Sequence, residues 1–70
     1  MNKVYIVLVG LNDKDIESAH ITPEGASKKV EELYENDPNG ELKYDNRGIA
    51  YIENDKPEWN VFVCEVDLED

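Results

Sequence analysis

A single cysteine, Cys64, and a single histidine, His20, are all that the chain has of the two residue types behind most disulfides and soft-metal sites. One thiol cannot close an internal disulfide, and no second soft ligand stands near either residue, so no disulfide framework and no metal centre is expected. Cations are scarce as well: seven Lys and Arg stand against seventeen Asp and Glu. They are scattered singly apart from Lys28-Lys29. Neutralising phosphates takes clustered cations, so direct binding to nucleic acid or to an anionic membrane is not expected. The apolar run Val4 to Val9 is far shorter than the roughly 20 residues a membrane-spanning helix needs, and the N-terminus does not follow a signal-peptide pattern. With a lone cysteine in an apolar stretch, the expected setting is the reducing cytoplasm. No phosphate loop, dinucleotide fingerprint or CxxC pair is present, so no cofactor is expected.

What the chain has in abundance is negative charge. Its net charge is −10 over 70 residues, spread from Asp13 to Asp70 rather than gathered in a tail. A single domain of this size hides only ~60% of the surface it would expose unfolded, and its one core supplies about 3–5 kcal/mol at most. Acidity of this kind serves solubility, and it also suits docking on a basic protein where DNA would otherwise dock.

The elements read as an α+β domain in which one helix covers one face of an antiparallel sheet of about five strands. Lys3 to Val9 is β-branched and aromatic, has no helical period and ends at Gly10, which predicts a strand buried on both sides and central in the sheet. Asn12 to Asp15 predicts a turn, and Ile16 to Ile21 a weak return strand at an edge. Thr22-Pro23-Glu24 is a helix start: Thr caps, Pro at the first helical position loses no needed N–H, and Glu suits the positive end of the dipole. Ala26, Val30, Leu33 and Tyr34 then form one apolar stripe up to a stop at Asp37-Pro38-Asn39-Gly40. Glu41 to Tyr44, Ile49 to Glu53 and Trp59 to Leu68 predict three further strands separated by turns.

No catalytic constellation is visible, and the chain does not read as an enzyme. His20 lacks a nucleophile or second ligand and reads as a surface histidine. Cys64, among apolar neighbours, reads as a small core residue. Asp13, Asp15, Glu17 and Glu24 match the carboxylate spacing of a calcium loop, but Ser18 stands where the sharp turn needs Gly and no helix precedes it. The apolar surplus is more telling. Val4 to Val9 and Trp59 to Val63 are apolar on both faces, one helix cannot cover both, and something else must cover the second.

Glu17 to Glu24 as Glu-Ser-Ala-His-Ile-Thr-Pro-Glu, a helix with Val30-Glu31-Glu32-Leu33, and Asp55 to Trp59 before the last strand resemble the uracil-DNA glycosylase inhibitor family of Bacillus phages over about two thirds of the chain. The resemblance implies an acidic, DNA-mimicking inhibitor that blocks a host DNA-binding protein with a basic groove, with uracil-DNA glycosylase as the target. It implies that Glu17 and Ser18 on the edge strand stand in for DNA backbone groups and that Glu24 and Glu31 add negative potential. It also implies that Ile21, Ala26, Val30, Tyr51 and Val61 surround a cavity for the enzyme's leucine. A second class remains open: a small phage-type interaction or assembly protein, monomer or homodimer, that self-associates without inhibiting anything.

Overall fold

The computed structural model describes residues 2–10 and 15–68. They form β1 (Asn2–Val9), β2 (Asp15–His20), α1 (Pro23–Asn36), β3 (Glu41–Tyr44), β4 (Ala50–Glu53) and β5 (Val61–Leu68), with a 3-10 turn at Pro57–Trp59 before β5. The strands make one antiparallel sheet in the order β2-β1-β5-β4-β3. This is the α+β arrangement expected, with the single helix packed on one face. The turn expected at Asn12 to Asp15 lies largely outside the described residues.

β1 is central, as its two-sided apolar run requires. It pairs with β5 along its whole length, from Asn2 opposite Leu68 to Val9 opposite Val61, and with β2 on its other side. β2 is an edge, and its pairing slips between Val7 and Leu8: Ser18 lies opposite Val7, Ile16 opposite Leu8, and Glu17 is left over as a bulge. Such an extra residue bends an edge and disrupts its ladder.

Thr22, with extended backbone, accepts a hydrogen bond on its hydroxyl from the Gly25 N–H at 3.1 Å, and Pro23 follows in the first turn. At the other end the Asp37 N–H donates to the Leu33 carbonyl at 3.1 Å. Gly25 lets the first turn sit close to β2, since a Cβ there would lie 3.2 Å from Thr22 Oγ1 and 3.4 Å from His20 Nδ1. Four strand starts differ by a residue or two from expectation: β1 and β2 each begin one residue early, and β4 and β5 begin late. β5 begins at Val61 because Pro57–Trp59 coils, closed by the Asn60 N–H on the Pro57 carbonyl at 3.1 Å. β4 begins at Ala50 because Ile49 is spent on the preceding turn, where its N–H reaches the Asp45 carboxylate at 3.0 Å.

Odd-numbered residues of β1 and β5 and even-numbered residues of β4 point at the helix. Val7, Ala26, Val30 and Ala50 are 0% exposed, and Ile52 and Val61 close the same cluster. Tyr5, Val9, Leu33, Tyr34, Leu42 and Val63 pack around it. Each fully buried valine contributes about 1.5–3 kcal/mol, a large part of what so small a domain has. The Ala50 N–H also donates to Ser27 Oγ at 3.1 Å, tying β4 to the helix.

Candidate functional site

Side chains alternate across a strand, so the residues between those of the core project from the opposite face. β1 gives that face Asn2, Val4, Ile6 and Leu8, and β5 gives it Phe62, Cys64, Val66 and Leu68, in register as 2–68, 4–66, 6–64 and 8–62. β2 adds Ala19 opposite Ile6 and Ile16 opposite Leu8. None of these positions carries a charge, in a chain whose net charge is −10. No described element lies over Ile16, Leu68 or Val66, which are 69%, 49% and 36% exposed, while Val4, Ile6, Leu8 and Phe62 are half-buried.

The face has a polar margin along β4 and β3. On β4 and β3, Tyr51 stands opposite Lys43, whose ammonium pairs with Glu53 and, at 3.4 Å, with Glu41. These carboxylates hold the Lys43 pKa above its ordinary value, the bond to Glu53 being the main cause.

The remaining charge lies largely on the helix side. Glu65 and Asp67 point there beyond the reach of α1, where Lys3 meets them at 3.5 and 3.9 Å and Arg47 lies 3.9 Å from Glu65. Desolvation, and next the neighbouring Glu65 carboxylate, raise the Tyr5 phenol above its usual pKa. Asp45 accepts from the N–H groups of Ile49 and Arg47 and from the Arg47 guanidinium. The Ile49 bond, followed by those of Arg47, outweighs desolvation and lowers the Asp45 pKa.

The residues singled out in the sequence fall in several places. Glu17 is exposed on the edge bulge, while Ser18 points toward the helix, half-buried. Glu24 and Glu31 do come together, lining a groove of about 280 Å³ with Ser27, Tyr44 and Arg47. Glu31 there accepts the Tyr44 hydroxyl, and this bond raises the Tyr44 pKa.

The five expected cavity residues do not surround one hollow. Ala26, Val30 and Val61 are packed into the core around Val7, which fills the space between helix and sheet. Ile21 lies past the end of β2 and is 84% exposed. Tyr51 projects from the other face of the sheet, because it alternates with the buried Ile52. Of the five, Ile21 borders a groove with Asn2, Lys3 and Leu68, and Val61 borders a separate apolar recess. That recess, about 360 Å³, opens at the C-terminal end of α1 between Val9, Leu33, Ile52 and Trp59, with Asp37 and Asn39 also on its wall. The run of apolar residues hinted at it, but nothing in the sequence showed that the 3-10 turn would carry Trp59 to its rim.

Two further expectations are corrected. Cys64 is an exposed thiol, not a core residue, because its alternation places it on the uncovered face. His20 is not a plain surface residue: it is half-buried on the helix side, its Nε2 2.8 Å from Ser18 Oγ. Two-residue spacing on a strand brings this pair together, but a hydrolytic site also needs a group orienting the imidazole and donors for an oxyanion. Among the described residues no group of His, Cys, Asp and Glu could hold a metal ion, and no helix is long and apolar enough to cross a membrane. No family model, no curated protein and no solved structure matches the chain.

Proposed function

We propose that this chain works by binding protein through the uncovered face of its sheet, as a small interaction or assembly module without catalytic activity. The observation that carries this reading is the continuous uncharged surface of β2, β1 and β5, which runs through a strongly acidic molecule. Monomeric proteins rarely leave apolar patches of such continuity open to water, and interface centres are depleted of charge. A cytoplasmic setting goes with it. The test is capture from a bacterial lysate on the immobilised chain and on an Ile6→Asp variant that keeps the wild-type far-UV spectrum. Loss of the captured proteins, further copies of the chain included, is expected with Ile6→Asp; a captured set that the substitution leaves unchanged removes the reading.

A second reading has its own support. The exposed Glu17 on an edge bulge, the Glu24–Glu31 groove and the recess beside Val61 and Trp59 suit an acidic, DNA-mimicking inhibitor of a host DNA-binding enzyme, uracil-DNA glycosylase first among the targets. Titrating the chain into a glycosylase assay tests it. Stoichiometric inhibition, weakened by Glu17→Ala, is expected; full activity at excess chain excludes that target.

A further inference from the structure

Taking the uncovered face as the binding surface proposed above, we infer that its occupant is a second copy of this chain, laid sheet against sheet about a two-fold axis. Charge gives the first reason. The positions contributed by β2, β1 and β5 are neutral, whereas Glu65 and Asp67 of β5 point to the helix side, where α1 carries Glu24, Glu31, Glu32 and Glu35. A basic partner would find its complement on that other side and, here, only Glu41 and Glu53 at the β3–β4 margin, already paired with Lys43. A second copy brings neutral surface to neutral surface. The like charges of the two copies then lie outside a layer about 10 Å thick, which is near a Debye length at physiological salt.

Symmetry gives the second reason. β1 and β5 are antiparallel and paired end to end, so the centre of the face lies between the pairs Val4–Val66 and Ile6–Cys64. A two-fold axis through that point returns the same apolar residues to one another, as an isologous contact requires. Two twisted sheets stack this way at roughly 30°.

Size gives the third. Eight residues of strand span about 26 Å and three strands about 14 Å, a footprint of roughly 360 Å², below the roughly 600 Å² per partner at which standard specific interfaces begin, so the contact is of the weak, transient kind. Association is accordingly concentration-dependent, with monomer and dimer both populated.

Sedimentation velocity across a wide concentration range is the first test, with Nile red, a neutral apolar dye, as a parallel probe. Mass is expected to rise from 8.0 kDa to twice that value, while the dye bound per chain falls as the face is covered. Alkylation of Cys64 by iodoacetamide is expected to slow several-fold over the same range, since the exposed thiol sits beside the axis. Val66→Asp sets two carboxylates against each other there and is expected to leave a monomer at every concentration. Should that variant fail to fold, the wild-type alkylation profile decides alone. A monomer that binds dye and alkylates at a constant rate at all concentrations overturns the second copy while leaving the face available to another protein. A monomer that binds no dye overturns both.

Discussion

The two faces of this sheet are built from the same strands and nearly the same residue types, yet they differ in what water sees. On the helix side Val7, Ala26, Val30 and Ala50 are 0% exposed. On the other side Val66, Leu68 and Ile16, equally apolar, are 36%, 49% and 69% exposed. The first set holds the domain together; the second adds little to the fold of one chain and is free to bind. A small protein with a margin of about 3–5 kcal/mol has thus placed part of its apolar strand surface where it adds little to the monomer's stability.

Substitutions on the covered side should sharpen that contrast most. Val30→Ala removes two buried methyl groups and is expected to cost about 2–3 kcal/mol, enough to lower the midpoint of a urea titration by roughly half or more. Gly40→Ala comes next. Its φ is +89° and an added Cβ would lie 2.5 Å from the Glu53 carbonyl oxygen. A loss of about 2 kcal/mol is expected, because the left-handed strain alone is roughly 1–2 kcal/mol and the loop into β3 must also shift. Gly48→Ala is its control: φ is +81° with nothing within 4 Å, so only the strain remains and a loss of about 1 kcal/mol is expected. Equal losses at the two glycines would remove the steric part of the argument. Thr22→Ala, which deletes the cap of the covering helix, should cost about 1 kcal/mol, read as a lower thermal midpoint.

The uncovered side supplies the contrasting measurement. Leu68→Ser, at a concentration where the chain is monomeric, should change unfolding by no more than about 0.5 kcal/mol. A loss as large as that of Val30→Ala would show that the face is not open, and the comparison would break. The smallest effect is expected from Asp45, a half-buried carboxylate at the surface. Its folded pKa lies below the ordinary 3.8, so its contribution is fully present above that value and is lost as the pH falls through the lower folded one. In Asp45→Asn the acid limb of the stability profile should flatten in that window and match wild type in the depth of acid; unchanged steepness would discount the Ile49 and Arg47 bonds.

The architecture was largely written in local signals. The two-sided apolar run from Val4 to Val9 put β1 in the middle, and Thr22-Pro23 fixed the helix start, because each depends on neighbours in sequence alone. The strand alternation of β5 was equally plain, yet it did not say which set would meet the helix. That depends on register, and a slip of one residue exchanges every side chain between faces. Hence Cys64 read as core and emerged exposed, while Glu65 and Asp67 took the side that Val61 and Val63 share with the core. Ala26, Val30 and Val61 read as lining one cavity with Ile21 and Tyr51. Small and β-branched side chains around Val7 instead leave no void, and the alternation of β4 sends Tyr51 away. The Ser18–His20 contact was implicit in their two-residue spacing on one strand, whereas the bulge at Glu17 had no local signature, since it follows from how β2 is paired with β1.

The edges of the sheet set a limit on growth. β2 is bent by an unmatched Glu17, and β3 is four residues long with Glu41, Lys43 and Glu53 at its margin; charged, short or kinked borders are poor templates for adding strands. A filament would need such a border to recruit the next chain. In the pairing proposed above, the greasy plane is consumed by a single encounter while lateral propagation is discouraged, so that assembly would terminate at a pair rather than run on into fibres.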